Sequence, residues 1–127
     1  MRAKPKRIQL SRRRGWRMPR NAMKVDRTTR FGNPFDVREY GIELALRLFE
    51  DTARGAWLPA NVTDVDVPTR EMLHEAHHRW IKRLGGNPVE AIRAELRGKH
   101  LACWCAPPAR GHDDRCHAAI LLAIANE

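Results

Sequence analysis

Apolar positions along the chain fall into short runs and longer amphipathic stretches. Ile8-Gln9-Leu10 reads apolar, polar, apolar and predicts a first short strand. Asp36-Val37-Arg38-Glu39 has capping-box spacing, so a helix should begin there and run to about Arg54, where Gly55 ends it. Its stripe is Val37, Tyr40, Leu44, Leu48 and Asp51, widened by Ala45 and Phe49. Residues 56–68 connect onward through Pro59 and Pro68, with Val62, Val65 and Val67 forming a brief extended piece. A second helix should start after Thr69 and stop near Leu84 at Gly85-Gly86, burying Met72, Leu73, Ala76, Trp80 and Leu84. Asn87 caps a third, with Pro88 in its first position, Glu90 completing the box and Gly98 closing it; Val89, Ile92 and Leu96 face inward. Leu101–Cys105 predicts a buried strand, and about Arg115–Asn126 a helix apolar on nearly all sides, hence buried on more than one face.

Helix exceeds strand, and the pattern predicts a small helix-rich α/β domain with a short, mainly parallel sheet, Rossmann-like in two or three layers. The chain of 127 residues divides into a loose basic tail over 1–7 and a single domain over 8–127. No run approaches bilayer length, and no apolar stretch follows the basic start as in a secretory signal, so no membrane partner is expected. Three cysteines cannot all pair within one chain, which favours a reduced, cytoplasmic setting.

Charge changes the picture. The net charge is +9, yet residues 1–30 carry twelve Lys or Arg against Asp26 alone, while the remainder is slightly acidic. Such a block attracts nucleic acid or nucleotide phosphate through counterion release and guanidinium hydrogen bonds, or serves as a solvated arm. Arg12, Arg13 and Arg14 beside Trp16 fit phosphate gripping with indole stacking, or arginines facing water around a tryptophan that covers the core edge. Gly32 permits a backbone shape other residues avoid, and the turn it makes with Asn33-Pro34, beside Arg27 and Arg30, is placed to hold an anion or simply to join strand to helix.

Candidate chemistry gathers near the end. His74-Glu75-Ala76-His77-His78 contains H-E-x-x-H, but at helical spacing His74 and His78 lie opposite the apolar stripe, so a solvated face is the better reading than a zinc protease. Cys103, Cys105, Cys116 and His117 have the right donor types for zinc in unusual spacings, and His112 offers an alternative fourth ligand. Cys116, at a helix start beside Arg115 and His117, is a candidate thiolate nucleophile with a lowered pKa, and His117 a candidate acid or base. Without a second base–orienter pair, a pocket where both contact an anionic ligand is favoured over covalent catalysis.

Arg30-Phe31-Gly32-Asn33-Pro34-Phe35, Gly98-Lys99-His100-Leu101-Ala102-Cys103-Trp104-Cys105 and Cys116-His117-Ala118 together resemble a family of small phage and bacterial proteins, domain of unknown function 4326, over about residues 7–126. The resemblance implies that the RFGNPF turn and the CWC…CH segment form one site, pointing to Arg30, Asn33, Cys103, Trp104, Cys105, Cys116 and His117. The loop from Ala106 to Arg115 is longer than the family's usual connection, and Ala119 stands where members often carry Asp, which removes any catalytic role of that acid here. Two functions are expected. In the first, an enzyme or enzyme-like domain acts on a nucleotide, nucleoside or nucleic-acid base: Arg30 and the arm hold phosphate, Trp104 stacks, and Cys116 and His117 act on or orient the ligand. In the second, a basic nucleic-acid-binding accessory protein makes its contacts through the arm, and the cysteine segment is either purely structural or holds zinc, the one candidate cofactor. A phage-encoded chain would work in the host cytoplasm.

Overall fold

The computed structural model describes residues 4–56, 67–106, 108–109 and 111–127. Three strands, β1 (Arg7–Gln9), β2 (Ala22–Lys24) and β3 (His100–Cys103), form a parallel sheet in the order β1-β3-β2. Ile8 lies opposite Ala102 and Met23 opposite Leu101. The last strand in sequence is therefore the central one, and Leu101, Ala102 and Cys103 are buried, as a parallel centre strand requires.

β2 carries no alternation that marks it in the sequence. Its residues are half-buried, and pairing with β3 makes it a strand. The sheet also reaches into the stretch expected to be a loose tail. Arg7 opens β1, the Lys6 carbonyl accepts from the Leu101 amide at 3.1 Å, and the Lys6 amide donates to His100 Nδ1 at 3.0 Å. β3 ends at Cys103, so Trp104 and Cys105 lie in a bend beyond it rather than on the expected strand.

The single helix expected from Asp36 to Arg54 is two, α1 (Val37–Tyr40) and α2 (Ile42–Ala53). Gly41 stands between them at φ 83°, ψ 154°, outside helical geometry and open to a residue without Cβ. The break leaves Ala45, Leu48, Phe49, Thr52 and Ala53 as the buried face of α2, with Leu44 and Asp51 only half-buried. Asp36 caps as expected, its Oδ1 accepting from the Arg38 amide at 2.8 Å. The Gly55 and Ala56 amides close α2 on the Thr52 and Asp51 carbonyls.

The third helix, α3 (Val67–Leu84), starts ahead of Thr69 and takes in Val67; Val62 and Val65 of the expected extended piece lie outside the described residues. Its inward positions are Leu73, His77, Trp80 and Leu84, spaced four, three and four. Met72 falls about 100° from Leu73 around the helix and is half exposed, not buried. In α4 (Pro88–Leu96), Asn87 Oδ1 accepts from the Glu90 amide at 3.1 Å. The last helix, α5 (His117–Asn126), starts two residues after Arg115, with Cys116 as its N-cap. It packs against β1, β3, α2 and α4, so Leu121, Ile124 and Ala125 are fully enclosed. Among the described residues, no helix is long and apolar enough to cross a membrane.

Candidate functional site

Because all three strands are parallel, their carboxyl ends share one edge, where α/β sheets collect ligands. The turn after β2, the bend after β3 and the N-terminus of α5 open there onto one cavity of about 450 Å³. Asp26, Arg27, Thr28 and Asn33 line it from the turn, and Cys103, Trp104 and Cys105 from the bend. Arg115, Cys116 and His117 approach from the start of α5, and Val37, Ile42 and Leu46 supply an apolar wall from α1 and α2. The two ends of the chain that the motifs single out therefore meet.

Trp104 is half exposed, and its Nε1 donates to Asp26 Oδ2 at 2.8 Å. Asp26 is buried, which by itself pushes its carboxyl pKa up. Hydrogen bonds from Thr28 and Trp104 and the nearby Lys24 ammonium outweigh that and hold it below the usual carboxylate value. Arg12 lies 4.7 Å over the Trp104 ring, a cation–π contact. Arg13 and Arg14, grouped with it in the sequence, are exposed and do not line the cavity. Asp26 is a site residue that the sequence hid, because a lone acid in a basic block reads as a charge offset.

The turn is held tightly, for a reason other than the expected one. Gly32 does not have a positive φ. A Cβ there would stand 2.6 Å from the Arg27 Cα and 2.7 Å from the Asp26 carbonyl oxygen, so the glycine is required by backbone approach. Asn33 is buried, with Oδ1 accepting from the Phe35 amide at 2.9 Å and Nδ2 donating to the Ala45 carbonyl at 3.3 Å. Its side chain fastens the turn to α2 rather than reaching out as a ligand contact. Arg30 also departs from expectation: it pairs with Glu95 of α4, lies 5.1 Å over the Phe31 ring and does not line the cavity. Arg27, from the same turn, takes its place there.

The sulfurs of Cys103, Cys105 and Cys116 all lie within 4.8 Å of one another and could hold a metal ion. Cys103 and Cys116 are buried and Cys105 is exposed. His117 Nδ1 is 3.8 Å from Cys116 Sγ, so these adjacent side chains converge although neighbouring residues seldom do. Its Nε2 lies 2.5 Å from the Val25 carbonyl oxygen, an acceptor, so Nε2–H donates to it and Nδ1 is left on the side of Cys116 Sγ. His112 is exposed, and neither it nor His117, the fourth ligand expected from the sequence, falls within the 4.8 Å group that the three sulfurs form.

The acid–base order of the thiols is the reverse of that expected. The hydrogen bond from Cys116 drives the Cys103 thiol far below its usual pKa against the opposing pull of burial, with His117 assisting. The same bond, with burial, pushes Cys116 up, and burial and the Cys103 charge push Cys105 up. Arg7, within the expected tail, shapes the surrounding loop: its buried guanidinium pairs with Asp114 and donates to the Cys105 carbonyl at 2.7 Å.

Fold and site together define a small α/β domain with a three-stranded parallel sheet and a cysteine-walled cavity at its carboxyl edge. The chain matches the family model described as Domain of unknown function (DUF4326) over residues 8–127, and it belongs to that family. No curated protein and no solved structure matches it.

Proposed function

We propose that this domain binds a nucleotide, nucleoside or nucleic-acid base in the cavity at the carboxyl edge, and that a zinc ion on Cys103, Cys105, Cys116 and His117 braces its wall. The observation that carries the reading is the shared cavity, built from the post-β2 turn, the CWC bend and the head of α5. Its volume is in the range of small-molecule sites. The apolar wall and the Trp104 ring suit a flat base, and Arg27 and Arg115 supply positive charge.

Three thiolates and an imidazole are a tetrahedral donor set for zinc. Tetrahedral zinc–sulfur bonds would set the sulfurs about 3.8 Å apart, which is compatible with the 4.8 Å within which they all lie. His117 has one nitrogen tied to a backbone carbonyl and the other beside Cys116 Sγ, the way a metal-bound imidazole is commonly held. That tie makes His117 an orienting group more than a proton shuttle.

Calorimetric titration with the common nucleobases, nucleosides and 5′-monophosphates tests the pocket. Saturable binding by at least one, weakened in Trp104→Ala and in Ile42→Arg, is expected; no binding by any to the folded protein overturns the reading. Metal analysis of protein purified without chelator should find one zinc per chain, lost in Cys105→Ser, and metal-free protein with three titratable thiols rejects the zinc.

A second reading, nucleic-acid binding by the arm, has its own support. Arg12, Arg13, Arg14, Arg17 and Arg20 are exposed and have no acidic partner among the described residues. It requires oligonucleotide retention that falls steeply with salt and with Arg13→Glu plus Arg14→Glu, and is unaffected by Trp104→Ala.

A further inference from the structure

A second hollow, of about 260 Å³, adjoins the first and shares Arg27 and Asn33 with it. We propose that it is a phosphate-binding subsite in which Arg27, Arg79 and Arg83 grip the phosphomonoester of a ligand whose base or nucleoside occupies the larger cavity. The inference rests on the nucleotide reading above and narrows it to phosphorylated ligands.

Arg79 and Arg83 are four apart on α3 and therefore share one face. Like charges at that spacing repel, and Arg27 brings a third cation to the same hollow. Among the described residues no carboxylate comes within 4.0 Å of Arg79 or Arg83, and Arg27 has only Asp36, at 3.9 Å. No acidic side chain lines the hollow. Three guanidinium groups around a concavity with no acidic lining offer positive charge and planar forks of N–H donors to the tetrahedral oxygens of a phosphate.

Trp80 is an independent pointer. It walls the hollow, is 2 % exposed, and its buried Nε1 has no hydrogen-bond partner among the described residues. Buried indole N–H groups normally find an acceptor, and this one, in a residue that walls the hollow, has none among the described residues. The site is also rigid where it matters, because the contact of Gly32 with the Arg27 backbone fixes the base of that arginine. Arg27 and Asn33 line both hollows, which places the two next to each other around the same turn.

The test titrates wild type and the double variant Arg79→Gln plus Arg83→Gln with inorganic phosphate, with nucleosides, with their 5′-monophosphates, and with an oligonucleotide lacking a terminal phosphate. Both arginines are exposed, so the variant should keep its circular dichroism spectrum. Expected are saturable phosphate binding by wild type, at least about tenfold tighter binding of a monophosphate than of its nucleoside, and loss of both in the variant. Arg27→Gln should act in the same direction. Equal monophosphate affinity in wild type and variant overturns the subsite while leaving the nucleoside cavity standing. Arginine-dependent phosphate binding without any nucleoside binding, unchanged by Trp104→Ala, leaves the subsite standing and removes the cavity reading. An arginine-dependent loss confined to the oligonucleotide overturns the commitment to a phosphomonoester.

Discussion

Burial decides what His77 can do. Its ring is enclosed between α2 and α3, where Thr52 Oγ1 meets Nδ1 at 2.9 Å. Burial, then the neighbouring charges of His78 and His74, hold its pKa below the ordinary 6.5. The unfolded chain therefore binds the extra proton first, and stability complete above that value is lost as pH falls through it toward the folded pKa. Urea unfolding at successive pH values from neutral to mildly acidic should show a falling midpoint, and His77→Gln should flatten that part of the decline. A variant with the full wild-type slope would assign the effect elsewhere. Gly32 makes a second prediction. The Cβ of Gly32→Ala would press on the backbone of Arg27, and overpacking of this kind costs about 1–3 kcal/mol. An unfolding free energy from urea titration within about 0.5 kcal/mol of wild type would mean that the turn yields freely.

Helix ends and the buried α5 separate local from tertiary stabilisation. Asn87→Ala removes one cap and should cost about 1 kcal/mol. Leu121→Ala opens a cavity inside the packing of α5 and should cost about 2–5 kcal/mol, a large share of a small domain's stability. Denaturant unfolding of the pair checks the ranking, and equal losses would mean that α5 is not the keystone of the core. The same division governs what was legible. Asp36 and Asn87 could be read as caps because a cap lies within a few residues of the amide it serves. β2 was not legible, since its cause is a strand far along the chain. The cysteine corner was legible as a cluster, whereas which thiol is acidic depends on the direction of one hydrogen bond. Arg79 and Arg83 were singled out by no motif, since what distinguishes them is sharing a hollow with Arg27, which lies far from them along the chain.

For the molecule as a whole, the proposed zinc ties the end of β3 to the start of α5, the strand and helix with the widest contacts in the fold. Binding energy of a folded-state ligand adds to folding stability, so chelation of zinc should lower the thermal midpoint and readdition should restore it. A midpoint indifferent to chelator, in protein shown to contain zinc beforehand, would make the ion a passenger.

The central place of β3 also constrains how the fold is made. β1 and β2 never pair with each other, so during synthesis both wait as unsatisfied edges until His100–Cys103 leaves the ribosome. Nascent chains stalled before that tetrapeptide should be protease-sensitive throughout, with assembly complete only when α5, which packs on β3, follows it out.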